Sequence, residues 1–267
     1  MINLGKHNLL GILVDAVDYE AAVLRIVDAA AARRGAAVSA LAVHGVMTGV
    51  LDPTHRYRLN RFDLIVPDGQ PVRWAINLMY GTRLEERVYG PELTLRVCAR
   101  AEEEQAPVFF YGSTQPVLER MRHNLLRRFP KLQIAGMESS KFRRLTPPEA
   151  DALSTRIRQS GATIVFAGLG CPRQETWAYE FRDRISMPIL AVGAAFPFIA
   201  GELRQAPSRL QRIGMEWFFR LCMEPKRLWR RYALLNPAYV ALVAMQWTRI
   251  RSFDTRGNVP ESSMLIG

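Results

Sequence analysis

Asp68 stands between Pro67 and Gly69, directly after the apolar run that ends at Val66. A carboxylate at the end of a buried strand, partly removed from water, is placed to act as a general base toward a hydroxyl. An Asp in that setting equally serves as an Asx turn or as an N-cap for the helix that follows. A second group is Gly168-Leu169-Gly170-Cys171-Pro172-Arg173-Gln174-Glu175, again straight after an apolar run. It is not a dinucleotide fingerprint: the third glycine is absent, Pro172 opens the helix, and it comes late in the chain. Its backbone N–H groups can still meet an anion, with Gln174 and Glu175 within reach of a sugar or base. As plain first-turn residues those two are also at home, since Glu suits the helix dipole.

The third group is cationic. Between Arg204 and Arg251 there are ten Lys and Arg residues against Glu216 and Glu224, so this segment holds eight of the chain's formal +11. Arg220, Arg227, Arg230 and Arg231 are interleaved with Trp217, Phe218, Phe219, Trp229 and Tyr232. Arg227, Arg230 and Arg231 share one side of a helix. Forked guanidinium donors suit a diphosphate better than Lys does. Arginines mixed with aromatics also suit a membrane interface, while a solvated basic face accounts for many charge runs.

These groups need elements to carry them. Apolar runs at Val38–Val43, Asp63–Val66, Pro107–Tyr111, Leu132–Ala135, Ala162–Ala167 and Pro188–Val192 read as strands. Helical periodicity spans Tyr19–Arg34, Gln70–Tyr80, Pro91–Glu104, Gln115–Phe129, Pro148–Gln159 and Arg173–Ile185. The alternation predicts an α/β fold, a Rossmann-like, mainly parallel sheet with helices on both faces. Ligands bind such sheets beyond the carboxyl ends of the strands. His44, Gly69, Gly112, Gly168 and Gly170 all fall there. After the last strand, Pro207-Ser208, Glu224-Pro225 and Asn236-Pro237 each read as a helix start, giving three short helices. The expected organisation is a catalytic core over 1–203, a basic aromatic helical appendage over 204–251, and a flexible tail over 252–267.

Composition narrows the class. With 49% hydrophobic and 23% charged residues the chain is globular. Met1–Leu10 lacks an apolar stretch behind a basic start, which argues against a signal peptide. Ala238–Met245 is too short to span a bilayer. Cys98, Cys171 and Cys222 show no metal-ligand spacing and fit a reducing compartment. There is no Walker A loop and no Asp-x-Asp pair for a divalent metal. A sequence pI near 10.1 fits a phosphorylated small molecule, anionic lipid or nucleic acid. A nucleic-acid-binding protein would leave the strand-end motifs without a purpose. A nucleotide-cofactor oxidoreductase would lack its glycine-rich fingerprint.

Four blocks resemble the bacterial WecG/TagA/CpsF glycosyltransferases. They are Val66–Gly69, Glu86–Leu93, Gly168–Glu175, and the run from Arg204-Gln205-Ala206-Pro207 through Gly214-Met215-Glu216-Trp217 to Glu224–Tyr232. The similarity runs from about Leu10 to Met245. The resemblance implies an inverting transfer from a UDP-sugar to a polyprenyl-diphosphate-linked saccharide, at the inner face of the cytoplasmic membrane, with no metal or other cofactor. It puts the base on Asp68, and the diphosphate-binding arginines of a closing appendage on Arg220, Arg227 and Arg230. It places the family's Gln on Gln174. Arg87 completes the expected substrate-binding set of His44, Gly69, Gly112, Gly168, Gly170, Gln174 and Glu175. No nucleic-acid partner is expected; a neighbouring subunit could cover the appendage in a homo-oligomer. Two departures stand out: Ala42-Val43-His44 replaces the usual Thr-x-Asn, and Gly90-Pro91-Glu92 the usual Gly-Pro-Asp. The first bears on which sugar is used more than on the reaction type.

Overall fold

The computed structural model describes residues 1–267, except for the side chains of Ser208, Arg212, Arg227 and Arg231. The chain opens with strands β1 (Asn3–Leu9) and β2 (Ile12–Val17), then α1 (Tyr19–Ala31) and β3 (Ala36–Leu41). Helices α2 (Val43–Leu51) and α3 (Pro53–Leu59) precede β4 (Leu64–Pro67), α4 (Gln70–Tyr80) and α5 (Gly90–Glu103). Four units follow: β5 (Val108–Gly112) with α6 (Gln115–Arg128), β6 (Ile134–Glu138) with α7 (Pro147–Gln159), β7 (Ile164–Gly168) with α8 (Arg173–Ile185), and β8 (Pro188–Ala191) with α9 (Ala195–Ile199). The chain continues through α10 (Ser208–Arg212), α11 (Glu216–Met223) and α12 (Pro225–Trp247).

All six expected strands form, and they pair in parallel in the order β4-β3-β8-β7-β5-β6. This is the predicted α/β architecture. Strand residues alternate between two cores. Phe109, Tyr111, Val165, Ala167, Ile189 and Ala191 face one, while Phe110, Phe166, Leu190 and Val192 face the other. A strand covered by helices on both faces must be apolar throughout, which is why these segments read as runs rather than alternations. The six expected helices start on local signals. Asp18 caps α1, Thr146 and Glu149 form a capping box on α7, and a proline sits in the first turn of α4, α5, α6 and α7.

The antiparallel hairpin β1–β2 was not foreseen. Its turn residues Leu10 and Gly11 both have positive φ, 56° and 89°, the primed-turn geometry that suits a hairpin. The strands carry Lys6, His7, Asn8 and Asp15, which break any apolar alternation. Asp15 is buried and explains the docking: it takes Lys6 Nζ at 3.0 Å, an Arg25 guanidinium nitrogen at 2.8 Å and the Ile65 N–H at 2.8 Å. The helices α2 and α3 were also unexpected; Asp52 caps α3 through the N–H groups of Thr54 and His55.

The last quarter differs from expectation in three places. Gly214, at φ 74°, ends the first helical stretch early and separates α10 from α11. Asn236-Pro237 does not restart a helix; α12 runs through it for 23 residues. An interior proline costs about 3 kcal/mol. Burial beyond it offsets that cost: Tyr239 and Val243 join the core, and the Tyr239 hydroxyl donates to the Pro71 carbonyl at 3.1 Å. The segment 252–267 packs as a strap. Asn8 and Asn60 side chains donate to the carbonyls of Phe253 and Thr255, the N–H groups of Met264 and Leu265 reach Glu180, and Ile266 is buried.

Candidate active site

The carboxyl ends of β3, β4, β7 and β8, the start of α6 and the appendage enclose a cleft of about 720 Å³. It lies where the strand order reverses, since the chain leaves β4 at one edge and returns through β7 and β8 to pair with β3.

Asp68 lies in this cleft. Its own N–H extends the ladder to the Leu41 carbonyl at 3.3 Å, and the N-cap of α4 is Gly69, with no side-chain cap. The carboxylate is therefore not used as the α4 cap. It accepts the N–H of Gly90, the first residue of α5. The residue is part-buried in the wall of the cleft. Burial pushes it up to about 7, with Glu216 adding to the rise and Arg87, Arg220 and the Gly90 N–H opposing it. A carboxyl held near neutrality can take a proton from a hydroxyl and keep it.

Arg87 links the core to the appendage. Its guanidinium pairs with Glu216 on α11, donates to Gln211 Oε1 at 3.2 Å, and lies 4.2 Å over the Tyr89 ring. The side chains of Arg87 and Glu216 are only 11% and 10% exposed. Asp68 and Glu216 both raise the Arg87 pKa, so the guanidinium stays charged. Arg220, one turn along α11, lines the cleft with its guanidinium 5.9 Å from the Phe198 ring.

The other expected residues fall into three groups. His44, Gly69, Gly168, Gly170 and Gln174 line the cleft. Gln174 is held by two bonds: the Gly170 N–H reaches its Oε1 at 3.1 Å, and its Nε2 donates to Glu175 at 2.9 Å. Gly193 must be bare, because a Cβ there would come 2.7 Å from Gln174 Oε1. Glu175 also lines the cleft, at its floor with 0% exposure, taking hydrogen bonds from Ser39 and Gln174, and burial raises its carboxyl. It positions Gln174 from below. Gly112 sits outside the lining. Its φ is 123° and a Cβ would meet Gly168 backbone at 2.7 Å, so it permits close approach of β5 and β7. Arg230 is also outside the lining, exposed, with its guanidinium 5.4 Å from the Trp229 ring. The Arg227 side chain lies outside the described residues.

Sequence reasoning did not select Tyr89, Ser113, Thr114, Trp217 or Tyr232, yet all line the cleft. Ser113 and Thr114 stood in the turn after β5 and could have been taken with Gly112. Trp217 and Tyr232 were read only as interfacial aromatics; here their rings meet edge to face at 6.0 Å. Among the described residues no three His, Cys, Asp or Glu side chains converge as a metal-ligand set.

A cleft at the switch point of a parallel sheet, holding a carboxylate and arginines, is the place where such a fold binds its ligand. The family model described as "Glycosyl transferase WecG/TagA/CpsF family" matches residues 7–252. The chain belongs to this glycosyltransferase family. A Bacillus spizizenii protein named N-acetylglucosaminyldiphosphoundecaprenol N-acetyl-beta-D-mannosaminyltransferase is 30% identical over 193 residues, covering 72% of this chain and 72% of the relative. The match decides for the transferase against the oxidoreductase and nucleic-acid-binding readings.

Proposed function

We propose that this glycosyltransferase moves a sugar from a UDP-sugar to a polyprenyl-diphosphate-linked saccharide, with inversion and without a metal, in the synthesis of a cell-surface polysaccharide. The observation that carries the reading is Asp68, held near neutrality in a cleft that also contains Arg87 and Arg220. Asp68 takes the proton of the acceptor hydroxyl as its oxygen bonds to the anomeric carbon. The bond from that carbon to the diphosphate breaks on the opposite side, and UDP leaves with the electron pair. Arg220 meets the charge that develops on the diphosphate, an electrostatic stabilisation that matters most in a cleft shielded from water. Arg227 and Arg230 belong to the same proposal as further diphosphate ligands, with Arg230 reaching the donor only if α12 swings toward the cleft.

A lipid-linked acceptor places the enzyme at a membrane surface, the inner face of the cytoplasmic membrane in this proposal. Among the described residues no helix is long and apolar enough to cross a bilayer. The appendage instead exposes Ile213, Phe218, Met223, Trp229 and Leu234 beside its cationic residues. That combination suits lateral contact with anionic lipid.

The test is transfer of radiolabel from a panel of UDP-sugars to N-acetylglucosaminyl-diphospho-polyprenol, with and without EDTA. UDP-N-acetylmannosamine comes first because of the relative's name. Label in the lipid fraction, unaffected by EDTA, is expected. No transfer from any UDP-sugar would overturn the donor assignment.

A further inference from the structure

Tyr89 caps the N-terminus of α5, one residue before the Gly90 N–H that binds Asp68. It is 6% exposed and lines the cleft, and its hydroxyl has no hydrogen-bond partner among the described residues. Everything else about the side chain is fixed. Its N–H donates to the Tyr19 hydroxyl at 2.9 Å, its ring stacks under Arg87, and Phe198 meets it edge to face at 6.1 Å. A buried hydroxyl left without a partner costs about 1–3 kcal/mol. In a binding cleft, such a group has its partner in the ligand.

The cleft that Tyr89 lines points to the partner, because Asp68, Arg87, Glu216 and Arg220 line the same cleft. Glu216, Asp68, Arg87 and Arg220 all act on the hydroxyl electrostatically. Burial and the two carboxylates keep the phenol protonated, so it donates a hydrogen bond and transfers no proton. In an inverting displacement the attacking and leaving oxygens lie on opposite sides of the anomeric carbon. Asp68 serves the first and Arg220 the second. A donor that lines the same cleft as both is available to the sugar held between them.

We infer that the Tyr89 hydroxyl hydrogen-bonds the transferred sugar itself, at a ring hydroxyl or an acyl oxygen, and so is a specificity-determining residue. This rests on the UDP-sugar reading above. It also gives the sugar pocket a contact that the diphosphate does not share.

Tyr89→Phe removes the hydroxyl and keeps the ring packing. The experiment compares UDP affinity, UDP-sugar kcat/KM and thermal midpoint in wild type and Y89F. UDP affinity is expected to stay within about twofold, while kcat/KM falls about tenfold or more and the midpoint holds or rises. Equal losses in UDP affinity and kcat/KM would place the hydroxyl on the diphosphate and overturn the inference. Unchanged kcat/KM would overturn it as well. If wild-type enzyme itself transfers from no UDP-sugar, the donor reading fails first, and that outcome is visible before the variant is assayed.

Discussion

Arg87 and Glu216 form a nearly buried ion pair between the loop before α5 and helix α11. It is a polar joint between the sheet and the C-terminal helices, and it lies in the same cleft as Asp68, the proposed base. Asp68 feels Arg87 as a lowering influence and Glu216 as a raising one. Burial is the larger influence on Asp68, and the two charges of the pair act on it in opposite directions.

Breaking one side of this joint should be costly. Glu216→Ala leaves the Arg87 guanidinium with a buried charge, a loss of about 3–5 kcal/mol when the partner is fully desolvated. Proteolysis within 204–216 should accelerate in E216A, and amide exchange in α11 should rise. Unchanged exchange in α11 would mean that the pair does not hold the appendage.

Asp68→Asn should lower kcat by about 10²- to 10⁴-fold, the usual worth of a general base. Donor binding, read as UDP-induced thermal stabilisation, should survive. A variant that turns over at the wild-type rate would remove Asp68 from the mechanism.

The pH behaviour carries a definite sign. Asp68 must be ionised to act, so kcat/KM should rise with pH through an acid limb near 7, where its carboxyl is held. Stability runs the other way. The folded value lies above the ordinary 3.8, so the protonated form favours folding. That contribution is complete below about 3.8 and is lost as pH rises through about 7. D68N should therefore be more stable than wild type at pH 8, with the gap closing toward pH 4. Denaturant melts at the two pH values check this.

Arginine substitutions should separate by position. Arg220→Ala should weaken UDP binding by about tenfold or more, since charge-assisted hydrogen bonds are worth roughly 1.5–3 kcal/mol. Arg230→Ala should change UDP affinity less and binding to anionic vesicles more. Calorimetry with UDP and vesicle flotation distinguish the two. Equal losses in UDP affinity would show that α12 moves Arg230 onto the donor.

Deleting residues 252–267 should lower the thermal midpoint rather than leave it unchanged. The strap supplies partners to Asn8, Asn60 and Glu180 and buries Ile266. An unaltered midpoint would return this segment to the status of a loose tail.

The local chemistry of the fold was legible. Gln70–Tyr80 and Arg173–Ile185 form helices with the expected bounds, because a proline or glycine turn marks their starts and the apolar period lies within each segment. The parallel strands were visible because burial on both faces demands continuous apolar runs. The β1–β2 hairpin was not, since its polar residues are satisfied in part by Phe62 and Ile65, which lie far along the chain.

Motif and residue type alone placed a carboxyl at the end of β4, small residues around it and arginines in the last quarter. Side-chain direction was decided only when the elements packed. That step put Arg220 in the cleft and Arg230 outside its lining, buried Glu175 in the floor, and made Gly112 a close-approach residue. It also left the Tyr89 hydroxyl without a protein partner in the cleft that holds Asp68. Residue type states what a group can donate or accept. Which partner it meets, and how much water surrounds it, depends on contacts between segments more than a hundred residues apart, as between Arg87 and Glu216.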